Sequence, residues 1–238
     1  MAHQDIRGTI RYTSNKPERA GSERGREYFT LTRQQNGARV LHAHCEIDDE
    51  PDVLRDVLLC LDSDWRPREC VVRLSVGGQR KGMGFLRFTD SSAECRTYNE
   101  QEECVTQELA LPEPLRWLGA HPLYGDALCL RLYDRSQGPG RKFFPNLMLT
   151  SPDHRGATGP ELYPLGVGIE YIGEEEVKVE AGRFDGLHFR FVETAGQLPK
   201  EHPPYDIWCT ADGEYLFLKG EVGGYMQTAY ELIEIQGR

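Results

Sequence analysis

Two-residue alternation of apolar and polar side chains, cut at short intervals by Gly, Asn-Gly or Asp-Gly, runs through most of this 238-residue chain. Successive residues of a β-strand point to opposite faces, so this period predicts half-buried strands and disfavours a helical fold. The first clear unit spans 27–33 and 38–47, with Gln35-Asn36-Gly37 between them. Asn-Gly favours the positive φ angles of a tight reversal, so the unit reads as a hairpin. Further strands are expected at 53–62, 69–76, 83–89, 93–99 and 103–108, and again at 168–173, 175–180, 187–192, 205–210, 215–221 and 225–235. No segment carries the 3.6-residue period over an ordinary helix length, which argues against a parallel βαβ architecture. The fold class expected is all-β: a single large antiparallel barrel or strongly curled sheet.

Two segments depart from the pattern. Residues 1–26 contain a polar, Gly-bearing stretch without periodicity and are expected to form a mobile or irregular arm, leaving 27–238 as one barrel-like domain. Residues 111–168 carry eight prolines, which break up long elements, so this insert is expected to be irregular. Long irregular stretches inside a domain often serve as lids or binding loops. Within it, 124–132 reads equally as a helical turn or a short strand.

Acidic residues outnumber basic ones 38 to 28, for a formal charge of −10. That balance opposes a phosphate backbone or an anionic lipid surface, so neither nucleic acid nor membrane is an expected partner. The opening residues lack the apolar core of a signal peptide, and no later run reaches the roughly 18 apolar residues of a membrane helix, so a cytoplasmic location is expected. The seven cysteines are an odd number without a Cys-x-x-Cys pair. They are read as free thiols, with Cys45 and Cys209 in strands as small core residues.

The final third reads Gly173-Glu174-Glu175-Glu176-Val177-Lys178-Val179-Glu180-Ala181-Gly182-Arg183-Phe184, followed by Asp206-Ile207-Trp208 and a closing meander. This order, over about residues 165–235, resembles bacterial domains of unknown function whose antiparallel sheets curl into an open or nearly closed barrel. The resemblance implies a fold. It carries no reaction and no catalytic residue.

Candidate chemistry comes from polar residues placed along apolar strands. His42, His44 and Glu46 share one face of their strand, and two imidazoles with a carboxylate suit zinc or iron if a neighbouring strand adds a ligand. The same row equally suits a solvated outer face. His188 and Arg190 alternate with Leu187, Phe189 and Phe191, and Arg73 and Arg87 likewise interrupt apolar neighbours. If these faces line a barrel interior, the arginines hold a developing anion and histidine moves a proton. On that reading His44, Glu46, Arg73, Arg87, His188 and Arg190 converge on one cavity. The loop 151–160 adds His154 and Arg155, which could close over a ligand, and His121 with Asp126 forms a weaker pair nearby. Tyr171 and Trp208 are candidate pocket walls.

The function expected is a cofactor-independent lyase or isomerase, with His154 or His188 as the base. Arg73, Arg87, Arg155, Arg190, Tyr171 and Trp208 would contact a hydrophobic small molecule, aromatic ones included. The alternative is a lipocalin-like carrier or sensor of an apolar ligand without catalysis. No cofactor is expected, zinc or iron at His42, His44 and Glu46 being the exception.

Overall fold

A computed structural model describes residues 3–196, 198–199 and 201–237. Among them are β1 (His3–Ser14), β2 (Glu23–Gln34), β3 (Arg39–Ile47), β4 (Val53–Leu61), β5 (Pro67–Val76), β6 (Gln79–Phe88), β7 (Ser92–Asn99) and β8 (Cys104–Ala110). Then follow β9 (Leu118–Gly119), helix α1 (Leu123–Cys129), β10 (Gly140–Leu149), β11 (Tyr163–Val179), β12 (Gly182–Gly196), β13 (Tyr205–Thr210), β14 (Phe217–Val222) and β15 (Thr228–Gln236). All fifteen strands belong to one curled sheet, ordered β8-β7-β6-β5-β4-β3-β2-β1-β15-β14-β13-β12-β11-β10-β9. Every pairing is antiparallel except the two-residue contact of β9 with β10. The expected all-β curled sheet is therefore what the chain forms.

Alternation sets which face is buried. In β4, Val53, Arg55, Val57, Leu59 and Leu61 point inward, and in β3 Leu41, Ala43 and Cys45 do the same. Register pairs Leu41 with Leu59 and Ala43 with Val57, so the inner face is continuous from strand to strand. A one-residue slip would turn this whole set outward, and that holds the register.

Three expectations need correction. The irregular N-terminal arm is mostly strand: Ile10, Tyr12 and Ser14 of β1 are buried, and only a short 3-10 turn at Pro17–Arg19 and the residues flanking it separate β1 from β2. Inner positions there are few, which hid the alternation. The insert holds β10, whose prolines misled the reading because Pro145 sits in a β-bulge between Phe144 and Leu147, where no ladder hydrogen bond is required. The strands expected at 168–173 and 175–180 are one, since Gly173 makes a bulge within β11 instead of a turn.

Much of the rest of the insert is buried. Leu115, Trp117, Leu118, Leu123, Tyr124, Ala127, Leu128 and Leu130 pack with the inner faces of both halves of the sheet in a single core. Where the sheet's far end meets the insert, side chains replace a strand ladder: the Gln107 amide of β8 accepts from the Leu162 N–H at 2.7 Å and donates to the Leu162 carbonyl at 3.4 Å.

Room for this loop comes from glycines on the inner phase of β6. A Cβ on Gly84 would stand 2.6 Å from Pro160 Cγ and one on Gly82 2.4 Å from the Gly159 carbonyl oxygen. Gly84→Val is therefore expected to destabilise the protein by about 1–3 kcal/mol through overpacking. Met83→Val, at an exposed position of the same strand, should stay within about 0.5 kcal/mol. Urea denaturation midpoints compare the two, and equal midpoints would refute the close approach.

Candidate functional site

A cavity of about 230 Å³ lies between the insert and the inner face of the sheet. Its walls are largely apolar, with Ile47, Val53, Leu149, Leu165, Val167 and Phe191 among them. It reaches from the exposed His154 to the buried Tyr205.

Two buried ionisable groups hold the insert in place. Arg55 is 1% exposed, and its guanidinium donates to the Ala120 carbonyl at 2.9 Å, the Gly156 carbonyl at 2.6 Å and Thr150 Oγ1 at 2.5 Å. It forms no salt bridge among the described residues, and burial lowers its pKa to about 10, so it remains a cation at neutral pH. Glu27 is fully buried on β2. Its carboxyl accepts from the N–H groups of Leu123 (2.6 Å) and Tyr124 (3.3 Å) and from the Tyr12 hydroxyl (3.3 Å). Those two N–H groups begin α1 and have no partner inside the helix. Burial raises the Glu27 pKa to about 7 against the pull of these donors.

The polar groups facing the cavity fall into two kinds. Some are satisfied by the protein: the His121 ring meets the Ser151 carbonyl at 3.2 Å, and Arg155 donates to the Pro51 carbonyl at 3.2 Å. Others are not. Asp126, in the first turn of α1, has a carboxyl with no hydrogen-bond or salt-bridge partner among the described residues, and Tyr205 Oη and Thr194 Oγ1 are buried without one. Burial, with Glu27 nearby, pushes the Asp126 pKa well above the ordinary carboxyl range. Burial and the Arg55 charge push the His121 pKa well down, so its ring is neutral. Tyr12, Tyr205 and Tyr230 form an edge-on cluster, with centroids 5.2 Å apart for Tyr12 and Tyr230 and 5.9 Å for Tyr205 and Tyr230.

Of the residues expected from the sequence, His154, Arg155, His121 and Asp126 line this cavity, the last two with no hydrogen bond between them among the described residues. The others do not join them, and the expected convergence of six polar residues is overturned. Arg73 and Arg87 are on the outer face. So are His42, His44 and Glu46, where His44 is held by Asp56 at 2.6 Å and Glu46 at 3.3 Å. No group of three or more His, Cys, Asp or Glu side chains among the described residues is arranged to hold a metal ion. His188 bonds Asp206 at 2.8 Å and stacks on Trp208 at 3.9 Å, and Arg190 reaches the same carboxylate at 3.0 Å, also on the outer face. Tyr171 is inside but packs on Phe189 at 4.8 Å, away from the cavity lining.

The physical reason is the phase of the alternation. Except for Tyr171, each misplaced residue alternates with buried neighbours and therefore occupies the opposite face. Glu27 and Arg55, which the sequence reading passed over, share the phase of Phe29 and Leu31 and of Val53 and Val57, and that was the signal available.

Neither a family model nor a curated protein sequence matches the chain. Among solved structures, a β-barrel-like protein of the domain of unknown function DUF1849 from Brucella abortus superposes with a TM-score of 0.63 at 10% identity, covering 99% of this chain and 98% of that one. A DUF1089 family protein from Pseudomonas aeruginosa gives a TM-score of 0.40 at 13% identity, over 84% of this chain and 91% of the other. The first likeness is one of fold, and it bears out the expected resemblance to curled-sheet bacterial domains.

Proposed function

We propose that the interior cavity binds a small apolar molecule with one hydrogen-bonding end, and that binding rather than turnover is the protein's role. The observation that carries this reading is a trio of polar groups with no partner among the described residues, Asp126, Tyr205 Oη and Thr194 Oγ1, in a cavity whose walls are largely apolar. Buried polar groups are almost always paired, and an orphaned one calls for a ligand or an ordered water. Apolar walls with a few placed polar groups are the common composition of a small-molecule site. At about 230 Å³ the cavity is smaller than the about 300–1,000 Å³ of drug-sized sites, so the ligand is small.

Decanol and decane serve as probes, read by thermal shift and by the fluorescence of Trp117 in the wall. The alcohol should saturate and raise Tm, with binding at least about tenfold tighter than the alkane, the equivalent of one net hydrogen bond. Asp126→Leu should erase that preference while the alkane still binds. If neither probe saturates, the binding reading fails.

A second reading rests on Asp126 and His121 lining one cavity with the carboxyl pKa driven up and the imidazole pKa driven down. Two titratable groups driven apart in this way can act as acid and base. It retains the proton-transfer lyase or isomerase expected from the sequence, with the acid and base moved to these residues. Product formation without added cofactor from a bound carbonyl compound, lost in both Asp126→Asn and His121→Gln, separates it from simple binding.

A further inference from the structure

A second cavity, of about 210 Å³, lies where the turn between β4 and β5 faces the insert. Its lining holds three guanidinium groups, Arg66, Arg116 and Arg131, against one carboxylate, that of the exposed Asp64. In a chain of net charge −10, arginines gathered around one hollow with a single long ion pair among them are the unexpected feature, because acidic side chains are abundant enough to neutralise them.

The pairing of each arginine shows what is missing. Among the described residues Arg116 makes one ion pair, with Glu113 at 4.0 Å, the outer limit of such a contact, and its guanidinium lies 5.8 Å from the Phe144 ring. Arg66 and Arg131 make no side-chain hydrogen bond or salt bridge among the described residues. The Nε atoms of Arg116 and Arg131 are buried and have no partner. A buried N–H of a charged group left unsatisfied is costly, more so than a neutral one. Burial lowers the Arg131 pKa only to about 10, so the charge persists at neutral pH.

Trp65 holds this arrangement together. Its φ of 67° puts a bulky aromatic residue in the left-handed region, which such residues rarely occupy. The turn is pinned by Asp62, which accepts from the N–H groups of Asp64 (2.9 Å) and Arg66 (3.0 Å) and from Arg68 Nε (2.8 Å). The Trp65 ring then lies 3.9 Å from the Arg131 guanidinium and 3.5 Å from that of Arg39, which Glu214 already neutralises. Backbone strain of this kind persists only where surrounding structure enforces it, and it gathers at ligand sites.

We infer that this second cavity is a binding site for a small oxyanion carrying at least two negative charges, a phosphate or a polycarboxylate, held by Arg66, Arg116 and Arg131. Guanidinium groups present planar forks that match carboxylate and phosphate oxygens, and a doubly charged ligand neutralises more than one of them at once. The site is separate from the apolar cavity; Trp117 lines both.

Inorganic phosphate and citrate, titrated by calorimetry into the full chain at fixed ionic strength, test the assignment and distinguish the two oxyanion classes. Saturable binding of at least one with Kd below about 1 mM, weakened at least tenfold in Arg131→Gln and in Arg66→Gln, is the expected result. Arg66 is partly exposed and its side chain has no partner among the described residues, so its substitution is safe for folding where that of Arg131 is not. Arg183→Gln, at an outer-face ion pair with Glu176, should leave binding unchanged and so controls for overall charge. Absence of saturable binding by both anions overturns the site, as does binding that survives Arg66→Gln in a folded protein or falls equally in Arg183→Gln.

Discussion

Replacing Arg55 with methionine is expected to cost about 2–4 kcal/mol of stability, because it removes one side chain that serves three acceptors at once. Ala120, Gly156 and Thr150 belong to separate parts of the insert, and the guanidinium binds all three. Methionine fills a similar volume, so cavity formation adds little. The loss comes from two buried carbonyls and a hydroxyl left to find new partners. It is smaller than the sum of three broken bonds to a charged group, since burying a cation without a counterion is itself unfavourable and the variant escapes that. Arg55→Lys should fall between the two, because a compact ammonium cannot span the three acceptors as the guanidinium fork does. Urea denaturation gives the ranking, and limited proteolysis of 150–162 reports whether the loop has come loose. A methionine variant as stable as the parent, with that loop still protected, would refute the lashing role.

Glu27 should make stability fall as pH rises from about 4.5 to 7. Its folded pKa of about 7 lies above the ordinary 4.5, so the native state holds a proton that the unfolded chain gives up. The stabilisation linked to that proton is complete below pH 4.5, declines as pH rises through 7, and is absent above. At 1.36 kcal/mol per unit the decline is about 3 kcal/mol. Glu27→Gln keeps an acceptor for the Leu123 and Tyr124 N–H groups but cannot ionise. Its stability relative to the parent should therefore rise by about 3 kcal/mol between pH 4.5 and 7. Glu27→Leu leaves both N–H groups without an acceptor and should be about 2–3 kcal/mol less stable than Glu27→Gln at every pH. Denaturation series at several pH values test both, and parallel curves for the parent and Glu27→Gln would show that Glu27 titrates normally.

Much of the sheet was readable because alternation leaves a periodic mark wherever one face is dry. The hairpin at Asn36-Gly37 and the strands from β3 to β7 follow from it directly. The site was readable only in part. Polar rows such as His42-His44-Glu46 drew attention because they break apolar runs, yet a residue alternating with buried neighbours is by that fact on the other face. Arg55 and Glu27 show the more informative pattern, a charged residue in phase with leucine, valine and phenylalanine. His154 and Arg155 were found because a Gly- and Pro-rich loop advertises an irregular path. The position of that loop was hidden, since connections normally run over the surface and here much of the Pro-rich insert forms the core.

In the centre of the sheet β1 lies beside β15, pairing Arg7 with Gln236 and Tyr12 with Tyr230. Every other antiparallel neighbour is also a neighbour in sequence, so each half is a chain of local hairpins that can form with short loops to close. The central joint instead brings together segments more than 200 residues apart, and chain-closure entropy makes such contacts slow to form. A newly made chain would thus carry one finished meander whose innermost edge stays open until the last strand arrives. The middle of the native sheet is the last place to be sealed, and until then β1 presents an unpaired backbone to any other strand that reaches it.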